Sequence, residues 1–211
     1  MRSLTLKVEN VARVFARKTL FEGITFKISS GQSFAVTGKN GSGKSTLVKI
    51  LCGLMTSSRG TIQYTVDNAV VPIDELFPHI GLVSPYLNMY DEFSGEENLQ
   101  LFAKIRGIPV DQKYIDELLQ RCTIYEHRKK EVRYYSSGMK QRLKYCAALL
   151  HRPVLLYLDE PSANLDEQGI GVVREVMQEQ KQNGSLIFAT NDELDLKYAD
   201  SILDLNSLKI G

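Results

Sequence analysis

Nine residues, Gly38-Lys39-Asn40-Gly41-Ser42-Gly43-Lys44-Ser45-Thr46, constrain this chain more than any other feature. Gly38, Gly43, Lys44 and Ser45 stand at the defining positions of a phosphate-binding loop. The apolar run Ser33-Phe34-Ala35-Val36-Thr37 before it reads as a buried strand, and Leu47-Val48-Lys49-Ile50-Leu51 after it reads as a helix. Strand, loop and helix in that order are the context the motif needs. Glycines let the backbone curl so that successive N–H groups converge on phosphate oxygens. The helix start adds partial positive charge at the same point. In that geometry Asn40, Gly41, Ser42 and Thr46 line the loop, Lys44 reaches the β- and γ-phosphates, and the Ser45 hydroxyl is a Mg²⁺ ligand. A Gly/Ser-rich linker of the same composition would lack the flanking strand and helix.

The 211 residues suit one α/β domain carrying an inserted subdomain. Hydrophobic content of 43% and charged content of 24% are those of a globular chain. A formal net charge of +1 gives no electrostatic case for nucleic acid or anionic lipid, so no nucleic-acid partner is expected. No apolar run has the length to span a bilayer, and Met1 to Lys7 reads as an alternating strand rather than a signal peptide. Cys52, Cys122 and Cys146 are odd in number and widely spaced, which suggests neither a disulfide framework nor a zinc site. The expected location is cytoplasmic. Action at a membrane would require another chain to cross it.

Residues from about 3 to 36 alternate and carry turn signals at Asn10, Gly23 and Ser30-Gly31, which predicts short strands. Gly60–Tyr64 and Ile80–Val83 read as further strands. Glu96–Arg106 and Lys113–Thr123 show helical periodicity, separated by Gly107-Ile108-Pro109. Ser94 and Glu97 have capping-box spacing for the first of these helices. A third helix follows Gly138 and runs to Leu150. Strand and helix then alternate again through Val154–Leu158, Glu167–Lys181 and Ser185–Thr190. The predicted fold is α/β: a mainly parallel central sheet, an N-terminal antiparallel β part and an inserted helical subdomain. Residues 1–90 and 141–211 would form the core, with about 91–140 as the subdomain, in a single domain spanning 1–211. The charge run Glu126-His127-Arg128-Lys129-Lys130 reads as a solvated loop or helix end.

Two further motifs carry chemistry. Val154-Leu155-Leu156-Tyr157-Leu158-Asp159-Glu160-Pro161 delivers two carboxylates at the carboxyl end of an apolar strand, where parallel sheets bind ligands. Asp159 is placed to hold Mg²⁺ through its hydration shell, and Glu160 to orient a water for in-line attack on a γ-phosphorus. Read alone, the pair is equally an acidic helix cap after a strand; the loop upstream makes the catalytic reading the stronger. Tyr135-Ser136-Ser137-Gly138-Met139-Lys140-Gln141-Arg142 opens the third helix with hydroxyls and a glycine, suited to anion contact or simply to capping.

In this order the three motifs resemble the nucleotide-binding domain of ATP-binding-cassette (ABC) transporters, over nearly the whole chain. Tyr135-Ser136-Ser137-Gly138-Met139 sits where that family has its signature, and Ser162-Ala163-Asn164-Leu165-Asp166 looks like its D-loop. Phe15 lies where an aromatic ring stacks on adenine, the weaker alternative being a plain core strand residue. Glu97-Asn98-Leu99, Arg106-Gly107 and residues 135–142 look most like the heme-exporter and drug-exporter type. The resemblance implies a small ATPase subunit, ending at Gly211 without a regulatory extension, that pairs with a separate transmembrane permease on the cytoplasmic face. It implies a homodimer closing on ATP, with Ser136, Ser137 and Gly138 of one copy facing nucleotide on the other. ATP-driven closure and reopening would move the permease.

Two positions depart from the family. Its glutamine after the strand Ile80–Val83 falls on Pro85, which has no side-chain donor or acceptor; Ser84 could replace it only with a one-residue shift. Its switch histidine falls on Asn191, which can donate a hydrogen bond to γ-phosphate but cannot become cationic. Glu160 and Asn191 are thus the expected catalytic residues, and Ser45 and Asp159 the expected metal ligands. The alternative to an exporter ATPase is a nucleotide-binding regulatory switch with very slow hydrolysis. A translation or DNA-repair ABC protein would carry two cassettes or a coiled-coil insertion. His151, just before Pro153, reads as a helix-end or surface histidine.

Overall fold

Strand β7 (Leu155–Asp159) is buried at every position, and so is β8 (Ser185–Ala189). Full burial on both faces is the mark of a central parallel strand. The computed structural model, which describes residues 2–16, 18–163 and 165–208, pairs these strands side by side. With β3 (Ser33–Thr37), β6 (Ile80–Val83) and β9 (Ser201–Asp204) they form a parallel sheet in the order β6-β7-β8-β3-β9.

Side chains alternate across this sheet and so divide the core in two. Leu156, Leu158, Leu186 and Phe188 face one side, against α4 (Ser137–Leu149) and α5 (Glu167–Asn183). Leu155, Tyr157, Ile187 and Ala189 face the other, against α1 (Lys44–Leu51) and a second, antiparallel sheet. The Tyr157 hydroxyl hydrogen-bonds that of Tyr64, and Tyr64 donates to the Leu51 carbonyl. A fully buried phenol needs such a partner, and here the pair joins both sheets to α1.

The second sheet has the order β2-β1-β4-β5, from β1 (Leu4–Phe15), β2 (Lys18–Ser29), β4 (Arg59–Val66) and β5 (Ala69–Val71). Of the short strands expected between 3 and 36, β3 is five residues long, but the rest of the stretch forms two strands of twelve. Asn10 and Gly23 do adopt the positive φ of turn residues, 51° and 71°. They do so within continuous strands: the β1–β2 register shifts between Val8 and Val11, so the turn signal at Asn10 is absorbed as a bulge.

Helices α2 (Gly95–Ile105) and α3 (Gln112–Arg121) lie in the chain between β6 and α4, close to the expected bounds. The Ser94 hydroxyl accepts from the Glu97 N–H at 3.2 Å, and the Glu97 carboxylate accepts from the Ser94 N–H at 2.8 Å, completing the capping box. The charge run at 126–130 lies on a 3₁₀ turn and the loop after it. The short helix α6 (Glu193–Leu196) follows β8.

His151 follows α4 and is a bridge rather than a surface group. Its ring N–H donates to the Ile80 carbonyl at 2.8 Å, with the Arg106 guanidinium 3.1 Å from the same nitrogen. Burial first, and then the Arg106 charge, hold the imidazole pKa down to about 4. A depressed histidine pKa means that charging the ring opposes folding. Its stabilising contribution is complete above the ordinary 6.5 and is lost as pH falls toward 4. The wild-type chain should therefore lose up to about 1.4 kcal/mol of unfolding free energy per pH unit across that window, relative to His151→Gln. Urea unfolding at a series of pH values measures this, and equal pH slopes for the two proteins would contradict it.

Candidate functional site

In a parallel sheet all carboxyl ends share one edge, and four of them assemble the site. Residues 38–43 leave β3, Ser84–Tyr86 leave β6, Asp159-Glu160 end β7, and Thr190-Asn191 follow β8. The loop after β3 turns on glycines. Gly43 caps α1 at φ 103°, and a Cβ there would stand 2.9 Å from the Phe21 ring. A side chain at Gly38 (φ 146°) would stand 2.6 Å from the Ser42 hydroxyl.

Lys44, only 6% exposed, donates to the Gly38 carbonyl at 2.8 Å and lies 3.5 Å from the Glu160 carboxylate. The Ser45 hydroxyl donates to Asp159 at 2.9 Å. Burial raises the Asp159 carboxyl above its ordinary range, opposed by the Ser45 hydrogen bond and by the charges of Lys49 and Lys44. The Ser42 hydroxyl is buried with no hydrogen-bond partner in the protein. It packs against Gly38, and Ser42 does not line the cleft described below. Among the described residues no group of three or more His, Cys, Asp or Glu gathers to cage a metal. The Ser45 hydroxyl and Asp159 carboxylate, both hard oxygen donors in contact, fit an ion such as Mg²⁺ that takes few protein ligands.

Glu160 adopts φ 53°, an uncommon backbone state for a side-chain-bearing residue. Its N–H is held by the Ala189 carbonyl at 2.8 Å, which fixes the turn at the strand end. Asn191 donates from its amide to the Asn40 side-chain oxygen at 3.1 Å, which puts it against the loop. Phe15 is 42% exposed, so it is not a core residue. The Arg13 guanidinium covers one face of its ring at 4.3 Å from the centroid. Phe15, Asn40, Gly41, Gly43, Lys44, Ser45, Thr46 and Glu160 line one open cleft of about 450 Å³.

The cleft also has walls that the sequence did not point to, Leu20 and Tyr86. Lys49 stands behind it, its ammonium 3.9 Å from the Tyr86 ring centroid. Lys49 lies one helical turn beyond Ser45, and that spacing was the available signal. Ser84 is 5% exposed and its hydroxyl faces its own loop, accepting from the Tyr86 N–H at 3.4 Å. A shift that brings Ser84 to the cleft is therefore not what the loop adopts.

Ser136, Ser137 and Gly138 do not line this cleft. Ser136 caps α4, accepting from the Met139 N–H at 3.2 Å, and Ser136 and Ser137 are exposed. In the D-loop-like segment Ser162 donates to Asp195 at 2.7 Å, and Thr190 donates to the same carboxylate at 3.0 Å. Burial raises the Asp195 carboxyl, and these two hydroxyls oppose the rise. Asn164 lies outside the described residues.

A family model described as ABC transporter matches residues 21–163. The linearmycin resistance ATP-binding protein LnrL of Bacillus subtilis (strain 168) is 31% identical over 190 residues, covering 88% of this chain and 60% of that protein. The bacitracin transport ATP-binding protein BcrA of Enterococcus faecalis is 32% identical over 190 residues, covering 90% of this chain and 61% of its own. The chain thus spans about three fifths of the length of these curated relatives. A solved ATP-binding subunit of an ABC transporter superposes with a TM-score of 0.80 at 27% identity, over 94% of this chain and 85% of that one. With the loop, the paired carboxylates and the sheet in the arrangement just described, the chain belongs to the ABC transporter family as an ATP-binding cassette.

Proposed function

We propose that this chain binds ATP with Mg²⁺ and hydrolyses it to drive a membrane exporter. The observation that carries the reading is the convergence of two side-chain pairs under one loop, Lys44 with Glu160 and Ser45 with Asp159. The loop N–H groups and Lys44 would hold the phosphates. Phe15 offers its uncovered face to the adenine ring. Ser45 and Asp159 would hold Mg²⁺, which supplies charge neutralisation on the phosphates when bound.

Lys44 and Glu160 face each other across 3.5 Å. A γ-phosphate arriving at Lys44 competes for that cation and frees the Glu160 carboxylate. Glu160 then accepts a hydrogen bond from a water and takes its proton as the water oxygen attacks the γ-phosphorus in line, while the bond to the β-phosphate oxygen breaks. Ser136 and Ser137, both exposed, and the half-buried Gly138 stand apart from their own cleft, which supports their facing nucleotide on a second copy. No helix among the described residues is long and apolar enough to cross a membrane. A separate permease, with this chain on its cytoplasmic face, follows from that reading. The names of the relatives, linearmycin resistance and bacitracin transport, support export as the direction.

Lys44→Ala should abolish binding of a labelled ATP analogue at physiological concentration; undiminished binding would overturn the loop assignment. Glu160→Gln should keep ATP binding, slow turnover strongly and accumulate an ATP-bound dimer in size-exclusion chromatography. Turnover at the wild-type rate would mean that another group positions the water.

Asn191 stands where the resembled family has a histidine, with a neutral, shorter amide, one of whose two N–H groups is used on Asn40. It offers less stabilisation to charge building on the γ-phosphate. Asn191→His should raise turnover by about tenfold, equivalent to about 1.4 kcal/mol of barrier. The wild-type pH profile should lack a histidine-type inflection. A fast wild-type enzyme slowed by the substitution would instead establish Asn191 as a working replacement. Turnover that stays negligible in both proteins would favour the regulatory switch.

A further inference from the structure

The loop after β6 contributes three residues beside the cleft, and only one of them faces it. Ser84 is buried and bonded back into the turn. Pro85 has no side-chain donor or acceptor. Tyr86 is 66% exposed and lines the cleft together with Lys44, Ser45 and Glu160.

An exposed tyrosine would ordinarily move among rotamers. Tyr86 is held, because the Lys49 ammonium sits 3.9 Å from the centre of its ring. Lys49 is also within Coulombic reach of Asp159. The Lys144 ammonium of α4 donates to the Ser84 carbonyl at 3.4 Å and to the Pro85 carbonyl at 3.5 Å. Two lysines from two helices thus pin this loop, one through the ring of Tyr86 and one through the backbone beside it.

Resting on the ATPase reading above, we propose that Tyr86, seated on Lys49, is the β6-loop contact to the phosphate end of the nucleotide, its phenol supplying the polar group that Pro85 cannot. A phenol both donates and accepts. It can donate to a phosphate oxygen or accept from a metal-bound water. Lys49 makes the placement specific, since one ammonium braces the Tyr86 ring while acting on the carboxylate across the site.

The chain has no tryptophan, so Tyr86→Trp installs a unique fluorophore at the proposed contact. Titration with ATP and Mg²⁺ should give a saturable change in its emission, abolished when Lys44→Ala is added. Tyr86→Phe keeps the ring on Lys49 and removes only the hydroxyl. It should leave the melting temperature unchanged and the KM for ATP within about twofold, while lowering kcat by about fivefold, the scale of one hydrogen bond. It should also raise the Mg²⁺ concentration needed for half-maximal turnover. Lys49→Met should reproduce the kcat loss, and Lys49→Arg should restore most of it. Emission that ignores nucleotide, or a Tyr86→Phe protein with wild-type kcat and Mg²⁺ dependence, overturns the proposal while leaving the ATPase reading intact. ATP binding that survives Lys44→Ala overturns that reading instead.

Discussion

The Lys44 ammonium is the group around which the rest is organised. It is carried into a nearly closed position, where an unpaired charge costs several kcal/mol. Two partners offset that cost, a backbone carbonyl and a carboxylate, and each constrains its own segment. The carbonyl belongs to Gly38, whose φ of 146° curls the chain back over the lysine. The carboxylate belongs to Glu160, whose φ of 53° places it beyond the end of β7. The loop and the strand end are thus shaped around one cation, with the Glu160 carboxylate beside it in the lining of the cleft.

This arrangement requires β3 and β7 to end at the same height, and the core secures it. Residues of β7 and β8 alternate between two apolar layers, so a one-residue slip would exchange the faces of both strands. The hydrogen bond between Tyr157 and Tyr64 adds a directional tie within an otherwise apolar layer. It links the strand that ends in Asp159 to the antiparallel sheet, whose β1 ends at Phe15. Phe15 and Glu160, which both line the cleft, are therefore referenced to each other through the core.

What the sequence made legible was local. The glycine loop, the apolar strand ending in Asp159-Glu160 and the Ser94–Glu97 cap each encode their geometry within a few residues, and each is found in place. Asn191 beside the loop was legible only through its position after a core strand. Tyr86 and Lys49 were not read because their contact joins a loop to a helix 37 positions earlier, and neither residue type announces it. The length of β1 and β2 was misread for a different reason. Positive-φ residues mark turns and bulges alike, and only cross-strand pairing tells the two apart. The separation of Ser136 from the cleft is likewise a property of where α4 packs, which no motif states.

The polar links behind the cleft show how occupancy at the loop can be felt elsewhere. Asn40 in the loop is bonded to Asn191 after β8. The residue before it, Thr190, shares the carboxylate of Asp195 with Ser162 of the segment after Glu160. The Asp192 N–H in turn donates to the Thr190 hydroxyl at 3.0 Å. Asp195 is 1% exposed, and its two oxygens are satisfied by neutral hydroxyls alone, so neither bond is surplus. Moving the Asn191 segment with the loop must therefore strain the bonds to Thr190 or carry Asp195 and Ser162 along. The Asn40–Asn191 bond is solvent-exposed, so the part of this chain that resists breaking is the buried Asp195 centre, where losing a hydroxyl partner would leave a buried oxygen unsatisfied. On the other flank, Lys144 ties the Ser84–Pro85 backbone to α4, the helix that Ser136 caps. Side-chain contacts thus link the cleft along one flank to the D-loop-like segment, through the buried Asp195, and along the other to the signature-like helix, through Lys144.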